Sequence, residues 1–268
     1  MRRIMAWALH YDPAMFPISD ENERGHGPAF VSLALIAINI AVFLLLQGAG
    51  ASAEGQEFTY GYSAVPYEIT NDVDLTEPES ITVDGQTVPI PQEPGPSPIW
   101  LTLFTSMFMH GGWLHLGGNM LFLWIFGDNV EHRIGHGLYL VFYLVAGIVA
   151  SFAQIMVDTG SVIPTLGASG AISGVLGAYL VMFPTNRVLV LIIRFPMWVP
   201  AIVAIGLWGV LQFVNGLGAI AVTEETGGGV AYMAHIGGFV VGLLAGIVFR
   251  VLFREPRHPR GTPASAYR

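Results

Sequence analysis

The stretch PTLGASGAISG, from Pro164 to Gly174, decides how this chain folds. Its proline and first glycine suit an irregular segment, and the apolar run that follows predicts a membrane helix. Ser169 lies between Ala168 and Gly170, close to where that helix is expected to begin. A serine at this place either lets two helices approach closely or offers a hydroxyl for chemistry. The surrounding sequence distinguishes these two interpretations.

The composition indicates a membrane protein rather than an ordinary soluble domain. Charged residues make up 11% of the 268 residues and hydrophobic residues 53%, whereas soluble domains carry about 25% charged residues. The apolar residues gather in blocks that approach the roughly 20 residues needed to span a bilayer. We therefore predict an all-α membrane protein, a bundle of six transmembrane helices. The predicted spans are 30–48, 113–127, 137–157, 169–184, 197–216 and 231–252.

The basic residues predict the orientation of these spans. All eleven are arginines, and they lie before span 1, between spans 2 and 3, between spans 4 and 5, and from the last residues of span 6 to the C-terminus. The alternate loops contain no arginine and carry acidic residues instead. Because basic loops stay on the cytoplasmic side, both termini are predicted to be cytoplasmic in a multi-pass protein of the plasma membrane.

These spans divide the chain into a membrane domain and two tails. The N-terminal tail is predicted over 1–29, the membrane domain over 30–252 and the C-terminal tail over 253–268. The loop 49–98 is acidic and extracytoplasmic in this arrangement. A strand-like patch with a turn at 83–85 within this loop is compatible with a small hairpin or with a partly disordered segment.

Four polar residues lie near the outer ends of the spans, where polar side chains are costly and are therefore functional candidates. They are His115 and Asn119 in span 2, Ser169 in span 4 and His235 in span 6. These three spans all run inward from the outside, so the four side chains are predicted to share one depth. His115 and Asn119 are four residues apart and therefore lie on one helical face.

These residue types are the parts of a nucleophilic site. A helix that begins near Ser169 offers unpaired N–H groups and a positive dipole end, which can stabilise an oxyanion. His235 is placed to take the proton from Ser169. Ser173 is a rival nucleophile, but its hydroxyl is expected to bond the preceding carbonyls. Three further histidines are predicted to lie outside the site: His110, His132 and His136.

Glycines predict which helices touch. Gly170 and Gly174 are four residues apart in span 4, and Gly238, Gly242 and Gly246 form a ridge in span 6. Small residues at this spacing let membrane helices approach to backbone contact. Spans 4 and 6, which carry the serine and His235, are therefore predicted to pack against each other.

The motifs GASG at 167–170, AHIGGFVVG at 234–242 and HLGGN at 115–119 resemble those of the rhomboid intramembrane serine proteases. FGDNVEHRIG at 126–135 is similar to the family's turn between spans 2 and 3. The resemblance covers roughly 98–250. It implies a six-helix rhomboid-like bundle that uses a Ser–His dyad without an obligatory aspartate.

By this resemblance, Ser169 is the nucleophile, His235 the general base, and His115 and Asn119 the oxyanion side chains. The resemblance implies a serine endopeptidase that cleaves single-span membrane proteins within the lipid bilayer. No cofactor, metal or nucleic-acid partner is expected. The chain departs from some members of the family, which place an aromatic residue against the histidine one turn after the nucleophile; here that position is Ser173.

Four alternatives are open at this point. A transporter or channel would place polar groups near the midplane and show an internal repeat, whereas these polar groups cluster near one face. An inactive relative that only binds membrane helices would typically lack the serine or the histidine. A zinc protease is disfavoured because there is no HExxH string and no cysteine. A haem held by two histidines would leave Ser169 and Asn119 without a role.

Overall fold

The fold consists mainly of helices and includes two small antiparallel sheets. A computed structural model describes residues 16–21, 27–83, 85–192, 194–221 and 231–253. The elements in chain order are β1 (Phe16–Asp20), α1 (Phe30–Ala41), α2 (Ala53–Tyr62), α3 (Pro66–Asn71), β2 (Glu79–Val83), β3 (Gln86–Ile90), α4 (Thr102–Thr105), α5 (Trp113–Ile134), α6 (His136–Ile155), α7 (Ser169–Met182), β4 (Arg187–Ile192), β5 (Phe195–Pro200), α8 (Ala201–Ala221) and α9 (Tyr232–Leu252). The outer parts of the two predicted tails, 1–15 and 254–268, lie outside the described residues.

Two of the described helices, α6 and α9, are long and apolar enough to cross a membrane. The helical stretch Phe30–Leu46, helix α7 and the part of α8 at 201–216 are apolar but shorter. Helix α5 has 22 residues and includes charged residues in its last two turns. The helical character of the prediction is therefore confirmed, whereas the count of six spans is not established by helix length and composition.

Helix α7 lies in the middle of the bundle and packs most closely on α9. Eleven of its fourteen residues are buried, although most of them are small. A Cβ on Gly238 would overlap the carbonyl oxygen of Gly170, and one on Gly242 would overlap that of Gly174. The two backbones therefore touch, as the glycine spacing predicts, and this contact brings together the ends of α7 and α9 that carry the site.

A three-stranded sheet is a correction to the all-α prediction. Its order is β1–β4–β5, with both neighbouring pairs antiparallel. The fifth span was predicted to begin at 197, but α8 begins at Ala201 because β5 occupies Phe195–Pro200. Pro196 and Pro200 have no N–H to donate to a sheet, and β5 tolerates them because it is an edge strand.

Strand β1 is fixed to the bundle by a buried carboxylate. The Asp20 Oδ2 accepts a hydrogen bond from the Tyr179 hydroxyl at 2.6 Å and from the Asn129 Nδ2 at 2.7 Å. Asp20, Asn129 and Tyr179 are at most 8% exposed. Burial raises the pKa of the Asp20 carboxyl to about 7. This contact joins β1 to α5 and to the C-terminal half of α7.

The loop between α1 and α5 contains the predicted hairpin and holds the segment that enters α5. Strands β2 and β3 pair in antiparallel register from Glu79 with Ile90 to Val83 with Gln86, so the loop forms the hairpin, the first of the two alternatives; Asp84 of its turn lies outside the described residues. Gln47, after α1, accepts a hydrogen bond from the backbone N–H of His110 at 2.9 Å and donates one to its carbonyl at 3.1 Å. The chain just before α5 is therefore fixed to the end of the first helix.

Candidate active site

The structure brings Ser169 and His235 into hydrogen-bond contact. The Oγ of Ser169 lies 2.8 Å from the Nε2 of His235. Ser169 is the first residue of α7 and His235 is in the first turn of α9, so the close packing of these helices sets the distance. This spacing is within the range expected for a nucleophile and its general base.

The segment that leads into α7 is held by backbone hydrogen bonds to two other parts of the chain. Thr165 and Ala64 exchange backbone hydrogen bonds of 2.8 and 3.0 Å, and the N–H of Gly167 donates to the Ser106 carbonyl at 2.9 Å. Gly167 has a φ of +133°, which side-chain-bearing residues rarely adopt. The glycine therefore permits the turn that places the next two residues at the start of the helix.

His115 lies against this turn. A Cβ placed on Gly167 would be 2.9 Å from the Cε1 and Nε2 of His115 and 3.6 Å from the Ser169 Oγ. The N–H of Gly111 donates to the Nδ1 of His115 at 3.2 Å. A neutral imidazole that accepts at Nδ1 carries its proton on Nε2, so His115 directs an N–H donor toward Gly167 and Ser169.

Asn119 follows His115 by one turn of α5. Asn119 is 8% exposed, and its Nδ2 has no hydrogen-bond partner among the described residues. A buried donor without a partner is costly, and native structures usually keep one only where a ligand, water or reaction uses it. The resting site therefore leaves this donor available.

The backbone adds further donors at the same place. The first N–H groups of a helix have no partner within that helix, and α7 begins at Ser169 itself. Ser169 also lines a cavity of about 30 Å³ together with Ser106, Ser151, Gln154 and Thr165. A cavity of this size and polarity can hold water.

Ser173 is turned away from the chemistry, as predicted. Its hydroxyl donates to the carbonyl of Ser169 at 2.7 Å, one turn back along α7. The aromatic contact that some rhomboids make from this position comes here from another helix. Trp208 of α8 lies with its ring centroid 6.2 Å from that of His235, at an interplanar angle of 37°.

Two glutamines at the site were missed by the sequence reasoning. The Oε1 of Gln212, on α8, lies 2.8 Å from the Nδ1 of His235. The Oε1 of Gln154, on α6, accepts the N–H of Ala234 at 3.3 Å and so caps the first turn of α9. A glutamine is costly within an apolar membrane span. The presence of one in each of two predicted spans was therefore the sequence signal that could have identified them.

The other histidines divide into two groups. His110 is 2% exposed, and its ring centroid lies 5.1 Å from that of His115, so it packs closer to the site than predicted. His136 pairs with Glu131 at the far end of α5, and His132 is on the same turn, away from Ser169. Asp158 is exposed in the loop after α6, in agreement with its predicted surface position.

The fold is mainly helical, and the contact between serine and histidine lies where two of its apolar helices pack together. A family profile described as "Rhomboid domain" matches residues 98–251, more than half of the chain. The chain therefore belongs to the rhomboid family, whose members are integral membrane proteins and include serine proteases. The matched region contains all four residues of the predicted site.

Several curated proteins share part of this region. The Rhomboid protease GluP of Bacillus subtilis is 44% identical over 88 residues, which are 33% of this chain and 17% of that protein. Rhomboid protein 1, mitochondrial, of Saccharomyces cerevisiae is 31% identical over 152 residues, or 54% of this chain and 41% of that protein. The Presenilin-associated rhomboid-like protein, mitochondrial, of Homo sapiens is 34% identical over 91 residues, or 33% and 24%. The chain spans less than half the length of each of these relatives.

Proposed function

We propose that this protein is an intramembrane serine endopeptidase that cleaves transmembrane segments of single-span membrane proteins. The observation that carries the proposal is the 2.8 Å contact between the Ser169 Oγ and the His235 Nε2. Ser169 is the nucleophile and His235 the general base. The proposal requires no cofactor and no metal, because each step below uses groups of this chain and water.

The reaction proceeds by acyl transfer. His235 Nε2 takes the proton of the Ser169 hydroxyl while Oγ attacks the substrate carbonyl carbon. The C–N bond then breaks, and the imidazolium returns its proton to the leaving amine. A water molecule then attacks the acyl-enzyme and gives a proton to His235. As the bond between the acyl carbon and Oγ breaks, the imidazolium returns this proton to Oγ, which releases the carboxylic acid product and regenerates Ser169 and neutral His235.

His115, Asn119 and the backbone N–H of Ser169 form the proposed oxyanion site. The Nε2–H of His115 points toward Gly167 and Ser169, and the Nδ2 of Asn119 is a buried donor that has no partner among the described residues. Donors fixed in a site that excludes water stabilise the charge that develops on the carbonyl oxygen. The dipole of α7 adds to this effect at Ser169.

The bilayer explains the proposed class of substrate. A helix hides its carbonyls in hydrogen bonds, so a transmembrane substrate must unwind near its end before the nucleophile can reach them. The proposed orientation keeps the tails 1–29 and 253–268 in the cytoplasm and opens the site to the outside, in line with the arginine distribution. Membership of the rhomboid family supports an integral membrane location. Two of the three relatives above are mitochondrial by name, so they do not support the predicted plasma membrane.

The test combines covalent labelling with cleavage. The protein is reconstituted in liposomes with a single-span model substrate, and a fluorophosphonate probe is mapped by mass spectrometry. We expect labelling at Ser169, and loss of both labelling and cleavage in Ser169→Ala. Ser173→Ala is the matched control, because it removes a hydroxyl one turn away on the same helix and should keep both activities. A wild-type protein that neither reacts nor cleaves would be an inactive, helix-binding relative.

A further inference from the structure

The base of the proposed dyad is held from the side opposite to the nucleophile. His235 contacts Ser169 through Nε2 and Gln212 through Nδ1, each at 2.8 Å. Gln212 belongs to α8, a helix that contributes no other group to the chemistry proposed above. Both ring nitrogens are therefore engaged, and two different helices fix the orientation of the imidazole.

A second side chain of α8 supports the same ring. Trp208 precedes Gln212 by four residues, so both project from one face of the helix. The Trp208 ring lies 6.2 Å from the imidazole and 5.7 Å from the ring of Phe239, one turn further along α9. The Trp208 ring and the Gln212 amide, both on α8, therefore together fix the position of the imidazole.

We infer that Gln212 is a positioning residue that sets the tautomer of His235. His235 can therefore accept the Ser169 proton only while α8 is packed on α9. The inference rests on the proposed function. When the Oε1 of Gln212 accepts a hydrogen bond from Nδ1–H, the lone pair of Nε2 faces the Ser169 hydroxyl, as general base catalysis requires. An imidazole with its proton on Nε2 cannot take one from Ser169.

This arrangement performs one of the two tasks that a carboxylate performs in a Ser-His-Asp triad. There the acid holds the histidine tautomer and stabilises the imidazolium, whereas a neutral amide supplies only the first of these effects. The described titratable groups that face the imidazole are Tyr232, whose ring is 6.4 Å away, and His115. No described carboxylate hydrogen-bonds the imidazole, so a carboxylate placed at position 212 should alter the pH dependence.

The experiment uses three variants of the full chain in liposomes. Gln212→Leu keeps the approximate size of the side chain and removes the acceptor, and Gln212→Glu keeps the acceptor and adds charge. Phe213→Leu is the matched control, because Phe213 is the next residue of α8 and is 53% exposed. The measurements are kcat, KM, thermal stability and the pH dependence of kcat for each variant.

We expect Gln212→Leu to lower kcat about tenfold, the value of one neutral hydrogen bond, with little change in KM. Gln212→Glu should restore most of kcat and move the acidic limb of the pH profile to higher pH, because a carboxylate stabilises the imidazolium. Phe213→Leu should resemble the wild type. A role limited to holding the helices together would lower thermal stability without moving the pH profile.

The outcomes separate this inference from the proposed function. A wild-type protein without protease activity would overturn the proposed function and the inference together. An active wild type with unchanged kcat and pH profile in Gln212→Leu and Gln212→Glu would overturn the inference alone. If Gln212→Leu fails to fold, the pH profile of Gln212→Glu still decides, because a shift supports the inference and an unchanged limb contradicts it.

Discussion

Helix α7 carries a polar cluster at each end, and the two clusters differ in how completely their hydrogen bonds are satisfied. At the C-terminal end, Tyr179 and Asn129 both donate to the buried Asp20 carboxylate. At the N-terminal end, Ser169 shares a hydrogen bond with His235, while the nearby Asn119 keeps a buried donor that no residue in the described part of the chain pairs with. The first cluster is closed on itself, and the second leaves a donor free in the resting state.

This difference indicates what each cluster contributes. A buried network whose members are all paired stabilises one arrangement of the chain, and here it fixes β1 to α5 and α7. A buried donor without a partner lowers stability and is retained where a reaction uses it. The same helix thus serves as a fixed part of the core at one end and, in the proposed function, as a reactive surface at the other.

The strongest test of this contrast removes the base. We expect His235→Ala to lower kcat roughly 10⁶-fold, because serine and histidine act as a unit in such sites. The variant should fold as the wild type does, because the contact is half-buried and the glycine packing of α7 on α9 is unaffected. Cleavage is measured in liposomes and folding by thermal unfolding. Residual cleavage near the wild-type rate would refute the proposed dyad.

A smaller effect should follow from removing the free donor. Asn119→Ala is expected to lower kcat by about 10²–10³, the usual effect of losing one oxyanion donor. Because the Nδ2 has no partner in the resting structure, the substitution should leave the melting temperature nearly unchanged. Rates and unfolding are compared with those of the wild type. A large loss of stability with little loss of kcat would show that Asn119 belongs with the structural cluster.

The reverse pattern is expected at the closed cluster. Tyr179→Phe removes a donor to Asp20 and should lower the free energy of unfolding by about 1–3 kcal/mol, as for other buried groups that lose a hydrogen bond. The rate of Ser169 labelling should change little below the melting temperature. Chemical unfolding and fluorophosphonate labelling measure the two quantities. A labelling rate that collapses in a folded variant would mean that the two clusters are coupled along α7.

The sequence was more informative about the reactive cluster than about the closed one. Ser169, His115, Asn119 and His235 stand out because each is polar within an apolar span. The stretch FPISD of β1 has no such contrast, and its partner strand β4 lies more than 160 residues further along the chain, at Arg187–Ile192. Local patterns do not specify long-range pairing of this kind, so the sheet was missed.

The sequence also predicted the packing of helices better than the partners of individual side chains. The glycines of α7 and α9 predicted a backbone contact because small residues at a regular spacing of four form a groove along one helical face. Gln212 and Gln154 were passed over because a single polar residue does not reveal its partner. Their roles depend on distances between helices that the sequence does not contain. The long α8 was recognised, but its start was placed too early because the apolar residues of β5 resemble a continuing span.

A pH dependence of stability is also expected to originate at the closed cluster. Burial raises the pKa of Asp20 to about 7, whereas an aspartate of the unfolded chain titrates at about 3.9. Between these values the folded protein binds more protons than the unfolded one, so the free energy of unfolding should fall as the pH rises from about 4 to about 7. Thermal unfolding in detergent measures this slope. Asp20→Asn should flatten it, and Glu77→Gln, at an exposed site in the first long loop, should leave it unchanged. An equal slope in wild type and Asp20→Asn would mean that Asp20 is not the titrating group.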